Sequence, residues 1–263
     1  MRRYRKPFRV KKKKSIIKSR FFWLSLLIVI FFGGLFYFLV FSSVFQISEI
    51  KISGSQKIQP QNLEDFIENR IKQKWLGFFE TKNIFFADLN KTKEELMKNF
   101  PQISKIELER KLPNGLIFRV EERKPAAIFS QNENYFFIDK EGIIFEKAFL
   151  ADDFPKLQSL TLQDAPELGG VVIDKNLLSK ILEADFKLKK DFNVAIKEVS
   201  IISDNRLNAT TSEMWAIYFN QKENLDWQIT KLQLVLEKQV LPEKRGNLEY
   251  IDLRFSRVYF KFR

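Results

Sequence analysis

The feature that most constrains this chain is an unbroken run of 21 residues, Phe21 to Phe41, without a single charged side chain. Wound as a helix at 1.5 Å per residue, it spans roughly 31 Å, about the hydrocarbon thickness of a bilayer. The residues ahead of it, Met1 to Arg20, hold eleven Lys or Arg and no Asp or Glu, against a net charge of +12 for the whole chain. Everything after the tail is therefore nearly neutral, so the basic excess does not mark a nucleic-acid binder. Cations flanking one end of such a helix keep that end in the cytoplasm, which places Ser48 onward on the far side. A secretory leader would be followed by a small-residue cleavage site, and Phe41-Ser-Ser-Val-Phe-Gln-Ile-Ser48 offers none, so a retained anchor is expected. Lys11 to Lys14 would add attraction to an anionic leaflet, about 1 kcal/mol per residue, but topology alone accounts for them.

Cysteine and histidine are both absent. Disulfides, thiol catalysis and Cys-based metal sites are excluded, along with the commonest general base and the commonest neutral metal ligand. No residue set is expected to hold a cofactor or a metal.

Beyond the anchor, Ile47-Ser-Glu-Ile-Lys-Ile-Ser-Gly54 alternates at Ile50 and Ile52 and stops at a glycine, the mark of a strand. Pro60 suits a first helical turn, with Leu63, Phe66, Ile67 and Ile71 on one face. Thr92-Lys-Glu-Glu95 has the spacing of a capping box for a second helix that Pro101 closes. Two strands follow, alternating at Ile106 and Leu108 and at Leu116, Phe118 and Val120, with Pro113-Asn114-Gly115 turning between them. This order, strand, helix, helix, strand, strand, is an α+β unit in which two helices cover one face of a three-stranded sheet.

A second pattern starts after Glu121-Glu-Arg-Lys-Pro125. Strands are predicted at Ala127 to Ser130, Tyr135 to Ile138, Ile143 to Phe145, Val194 to Ser203 and Met214 to Phe219. Helices are predicted from Asp174 to about Leu188 and from Leu225 to about Leu236, by their inward stripes of Leu and Ile. Tyr250 to Phe255 and Val258 to Phe262 close the sequence as strands of opposite apolar phase, which predicts a bulge or tight turn at Ser256-Arg257.

Laid out this way, the chain resembles the FtsQ/DivIB family of bacterial cell-division proteins along nearly its full length. The resemblance rests on Glu49-Ile-Lys-Ile-Ser-Gly54, on Arg110-Lys-Leu-Pro-Asn-Gly-Leu-Ile-Phe-Arg-Val-Glu-Glu-Arg-Lys-Pro-Ala-Ala127, on Phe137-Ile-Asp-Lys-Glu-Gly-Ile-Ile-Phe145, on Phe154-Pro-Lys-Leu157 and on Tyr250-Ile-Asp-Leu-Arg-Phe255. It implies four segments: a basic cytoplasmic tail at 1–20, a transmembrane helix at 21–44, a POTRA domain at 45–123 and a β-rich domain with two helices at 124–263. It also implies a non-enzymatic scaffold of the plasma (inner) membrane at the division septum. Bitopic partners of the FtsB and FtsL type would dock on its C-terminal strands, and POTRA would recruit other division proteins.

The residues support a docking site independently. Val258 to Phe262 alternates and lacks proline; at a sheet edge it would offer an unpaired ladder that a partner strand could complete. Arg254, Phe255, Arg257, Val258, Tyr259, Phe260 and Lys261 are the candidate contacts, with Tyr259, Lys261 and Arg263 on one face and Arg254 facing an acidic residue of the partner.

Enzyme readings find little. Ser48-Glu-Ile-Lys51 has an S-x-x-K spacing, but it falls on a predicted strand and no K-T-G or S-D-N follows. Neither a phosphate-binding P-loop nor a dinucleotide fingerprint occurs. A rival reading is a POTRA-bearing envelope protein that handles polypeptide substrates in transport or assembly, which would call for a membrane barrel or repeated POTRA units.

Overall fold

The computed structural model describes residues 19–75, 79–149, 153–160 and 165–263, with no description of side chains at 73–80. Nearly all of the basic tail therefore lies outside the described residues.

The uncharged run forms α1 (Arg20–Phe41), 22 residues long, exposed along most of its length and long and apolar enough to cross a membrane. A short 3-10 turn, Ser43–Phe45, leads into the first domain. There the order is β1 (Glu49–Ser53), α2 (Pro60–Arg70), a small hairpin of β2 (Gln73–Trp75) and β3 (Phe79–Thr81), α3 (Leu89–Asn99), β4 (Ile103–Lys111) and β5 (Gly115–Glu122). The main sheet runs β1-β5-β4, with β1 parallel and β4 antiparallel to β5. Opposed pairs such as Ile52↔Phe118 and Leu108↔Phe118 align the apolar faces that α2 and α3 cover. Leu63, Ile67, Leu96, Ile106 and Phe118 are almost wholly buried there. Gly54 closes β1 at φ +88, where an added Cβ would sit 2.2 Å from the Val120 carbonyl oxygen, so the glycine that ends the strand is sterically required.

The capping-box expectation is corrected. α3 begins at Leu89, and its N-cap is Asp88, whose carboxylate accepts from the Lys91 N–H at 3.0 Å. Thr92 lies inside the helix, where its hydroxyl donates to the Asp88 carbonyl. The earlier start wins because it also buries Leu89.

The second domain is one nine-stranded sheet carrying two long helices. Its elements are β6 (Ala127–Gln131), β7 (Asn134–Ile138), β8 (Ile144–Lys147), β9 (Lys156–Ser159), α4 (Lys175–Phe192), β10 (Ile196–Ser203), β11 (Arg206–Thr211), β12 (Ala216–Phe219), α5 (Leu225–Lys238), the one-turn α6 (Pro242–Arg245), β13 (Leu248–Asp252) and β14 (Tyr259–Phe262). Spatially the strands run β14-β13-β12-β11-β10-β9-β6-β7-β8. Leu178, Ile181 and Leu188 of α4 and Ile229, Leu232 and Leu236 of α5 pack with Trp215, Ile217, Ile251 and Phe129 in a single core.

The two domains meet at Arg123. Its backbone N–H donates to Gln102 O (2.7 Å), its Nε to Pro101 O (3.1 Å), and its guanidinium pairs with the buried Asp139 of the β7–β8 turn. Asp139 in turn accepts from the Glu141 and Ile143 N–H groups.

Candidate interaction site: the open edge of the C-terminal sheet

β14 is the outermost strand of the large sheet, paired with β13 on one side only among the described residues. The opposite edge is met by another segment where it begins. At the start of β8, Ile144 donates to Gly170 O (3.0 Å) and accepts from Gly169 N–H (2.7 Å), and Ile143 bridges to Val171, so the segment 169–172 covers that end of the edge. An uncovered edge presents its backbone donors and acceptors to any strand that can approach.

Which groups are offered follows from the register. Asp252↔Tyr259, Ile251↔Phe260 and Tyr250↔Lys261 are opposed, and the Arg263 N–H donates to Asn247 O at 2.7 Å. Peptide directions alternate along a strand, so Arg263, Lys261 and Tyr259 turn their N–H and C=O toward β13. Phe260 and Phe262 turn theirs outward. The Phe260 ring nonetheless packs on the domain core together with Val258, which anchors the strand.

The expected bulge or tight turn at Ser256-Arg257 is corrected in form. Residues 253–258 make a loop that belongs to neither strand, so the strand predicted to reach Phe255 ends at Asp252. An antiparallel pair with an even number of loop residues places odd positions of one strand opposite even positions of the other. The change of apolar phase therefore needs no bulge there. The irregularity lies instead between Leu248 and Tyr250 of β13.

Arg254 does not stand free for a partner's acid. It forms a bidentate pair with Asp252, Nε to Oδ1 at 2.9 Å and Nη2 to Oδ2 at 2.6 Å. Burial alone would raise the Asp252 carboxyl, but the Arg254 hydrogen bonds and charge outweigh it and hold the group below its ordinary range. The same hydrogen bond pushes the Arg254 guanidinium upward. Alternation along Asp252-Leu253-Arg254 already puts both charges on one side, a signal present in the sequence.

The Arg254 guanidinium also lies over the rings of Tyr218 (5.4 Å) and Phe255 (5.5 Å), and Arg206 lies 5.4 Å from Tyr218. Tyr218 stacks on Tyr250 (5.3 Å), and Phe255 meets Tyr259 edge to face (5.9 Å). Phe255 and Tyr259 remain more than half exposed at 52% and 55%. Arg257 is exposed in the loop. Lys261 pairs with Glu249 (2.7 Å), whose hydrogen bond and charge push the ammonium upward. Arg263 donates to Met214 O. The candidate residues are thus brought together, on a loop and strand that share one exposed aromatic patch.

Sequence reasoning missed Lys231. It sits on the buried face of α5 with Gln228, Leu232 and Val235, and its ammonium donates to Phe255 O (2.9 Å) and Leu253 O (3.3 Å). A cation on an otherwise apolar stripe was the available clue. It fastens the loop that carries Arg254 and Phe255.

In the first domain β4 is likewise an edge strand, and a groove between it and α3 is lined by Leu89, Lys93, Ile106 and Leu108.

Residues 127–254 match the family described as cell division protein FtsQ/DivIB, C-terminal, and residues 45–123 match the FtsQ-type POTRA domain. The matched spans together leave out only 124–126 between them, and β14 lies past the end of the second. Cell division protein DivIB of Clostridium acetobutylicum is 28% identical over 214 residues, 81% of this chain and 80% of that protein. Cell division protein FtsQ of Geotalea daltonii is 26% identical over 227 residues, covering 85% and 78%. Cell division protein FtsQ of Coxiella burnetii is 25% identical over 210 residues, covering 79% and 76%.

Proposed function

We infer, from the premise that this chain belongs to the FtsQ/DivIB family of cell-division proteins, that it is a non-enzymatic scaffold of the divisome whose open β14 edge receives a bitopic partner of the FtsB or FtsL type. One observation carries the reading: of the two edge strands of the large sheet, β8 is met by 169–172 where it begins, and β14 has no neighbour beyond β13 among the described residues. An incoming strand would hydrogen-bond to Phe260 and Phe262 and bring its side chains against Phe255 and Tyr259. The backbone bonds supply affinity, about 1 kcal/mol each, and the aromatic patch supplies selectivity.

The uncovered β4 edge supports a second recruitment surface on the POTRA domain. α1, with its cytoplasmic basic tail, would hold both domains on the outer side of the plasma membrane and, with the partners, at the septum.

The test is a proline at Phe262, whose ring is exposed and stands outside the domain core. Its N–H faces away from β13, so Phe262→Pro removes a donor that only an added strand would use and leaves the internal ladder intact. With the full chain in nanodiscs, capture of an FtsB-like partner should fall at least tenfold while the thermal transition stays close to that of the parent. Unchanged affinity would refute edge docking. A fluorescent fusion should form a midcell band, and an even envelope distribution would count against the division role.

A further inference from the structure

The junction between α1 and the first domain is stitched rather than flexible. The last four carbonyls of any helix lack partners within it. Here Asn83, only 1% exposed, donates from Nδ2 to Leu39 O (2.8 Å) and Val40 O (3.0 Å), so a residue of the domain caps the end of α1. Its Oδ1 accepts from Phe85 N–H at 2.9 Å. Ile84 N–H donates to Phe45 O and Ile47 N–H to Lys82 O, both at 2.9 Å, while Gln46 accepts from Lys82 N–H at 3.0 Å. Arg110 of β4 fixes the same segment from the other side, with Nε to Ile84 O and Nη2 to Ala87 O, each 3.0 Å. The end of the helix, the segment 81–87 and the main sheet form one hydrogen-bonded body.

The same junction leaves apolar side chains uncovered. Phe38 of α1 meets Phe45 edge to face (5.8 Å), and Phe45 meets Phe85 (5.4 Å), an unbroken line of rings from helix to domain. Phe85 is 47% exposed, and Val44 and Phe41, on either side of the end of α1, are 47% and 43% exposed. Exposed phenylalanine and aliphatic side chains next to a membrane helix gain by burial in the headgroup/acyl boundary, as the apolar faces of interfacial helices do.

We propose that the first domain stands on the bilayer that α1 crosses, with Phe85, Val44 and Phe41 seated in the outer-leaflet interface as a second membrane contact. The inference rests on the reading of α1 as membrane-spanning. The occupant is lipid, because the patch continues the surface of the helix itself, and Asn83 and Arg110 leave Phe85 no independent freedom to move away from it. Such a footing would fix the direction in which the domain leaves the membrane.

The chain has no cysteine, so single nitroxide labels can be placed without background. Ile30→Cys, Val44→Cys, Phe85→Cys and Phe186→Cys variants of the full chain would be labelled in vesicles of phosphatidylethanolamine and phosphatidylglycerol. Collisions with oxygen, which enters lipid, would be compared with those of a water-soluble nickel chelate. All four side chains are exposed, so each substitution leaves the core intact. Labels at 30, 44 and 85 should favour oxygen, and the label at 186, on α4 of the second domain, should favour the chelate. A label at 85 that meets the chelate as freely as that at 186, while 30 stays in lipid, overturns the footing and leaves the span standing. A label at 30 open to the chelate overturns the span, and the footing with it.

Discussion

Lys231→Met tests whether the docking loop is held from behind by α5. Methionine keeps most of the buried stem and removes the ammonium, so the packing of α5 changes little. Two hydrogen bonds to a charged donor disappear, one of 2.9 Å to Phe255 O and a longer one of 3.3 Å to Leu253 O. Bonds of this kind are worth about 1.5–3 kcal/mol each, and the longer one belongs at the low end. Against this loss stands relief, because burying an ammonium costs several kcal/mol that methionine does not incur. Global stability should therefore move by no more than about 1–2 kcal/mol, a few degrees in the thermal transition. The loop has no such compensation. Losing the 2.9 Å bond leaves residues 254–258 to be ordered when a partner arrives, a cost of about 1.5–3 kcal/mol that lowers affinity roughly 10- to 150-fold. Hydrogen exchange reads the loop without any partner, and the amides of 254–258 should lose protection while those of β12 and β13 keep theirs. Unchanged exchange at 254–258, with unchanged capture, would show that the ammonium holds nothing that matters.

Two other perturbations test the supports of the fold. Gly142 lies at φ +77, and an added Cβ would sit 2.1 Å from Ile173 O, so Gly142→Ala should cost about 3 kcal/mol and lower the thermal transition by roughly 6–12 °C; a shift of under two degrees would mean the turn relaxes freely. Glu122 accepts from the Gln56, Lys57 and Ile58 N–H groups at 2.9–3.0 Å. Burial alone would raise its carboxyl, but these bonds outweigh it and hold it below the ordinary range. A folded-state value below the unfolded one stabilises the fold above the unfolded carboxylate pKa, about 4.3, and that stability disappears as pH falls through the folded value. Glu122→Gln should thus be less stable than the parent at pH 7 by a gap that closes on acidification, and a gap independent of pH would contradict this.

The elements that were legible are those whose apolar period was long and unambiguous. α2, α4 and α5 each bury a stripe of Leu and Ile, and β4 and β5 alternate over enough residues to declare themselves. β9 and β11 escaped because their inward positions say little: β9 turns in Leu157 and Ser159, and β11 turns in Leu207, Ala209 and Thr211, two of them small or polar. They are strands because β10 lies between them and pairs with both. Tertiary context overrides weak local preference in this way. At the candidate site, the edge position of Val258 to Phe262 could only be posed as a condition, since strand order is not written in periodicity. Arg254 was read as available although Asp252, two positions before it, falls on the same side of an extended chain and pairs with it. Lys231 acts on residues more than twenty positions away, a contact that no local pattern carries.

The side chains that govern this molecule's geometry share a habit: they bond backbone across a junction. Asn83 and Arg110 join helix to domain, Glu122 ties the loop after β1 to the end of β5, and Arg123 ties Pro101 and Gln102 to Asp139 of the next domain. Only Arg123, Lys124, Pro125 and Ala126 connect β5 to β6, a link too short to slacken without breaking the Arg123 pair. Removing one member of a buried pair of that kind costs about 3–5 kcal/mol, far above thermal energy, so the two domains have a preferred orientation at rest. In the proposed docking, binding energy at β14 would then not be spent on gathering loose domains, a cost that weakens flexible scaffolds. The loop at 253–258 is tied down in the same way: Lys231 and the Asp252–Arg254 pair hold the aromatic patch in place ahead of the proposed docking.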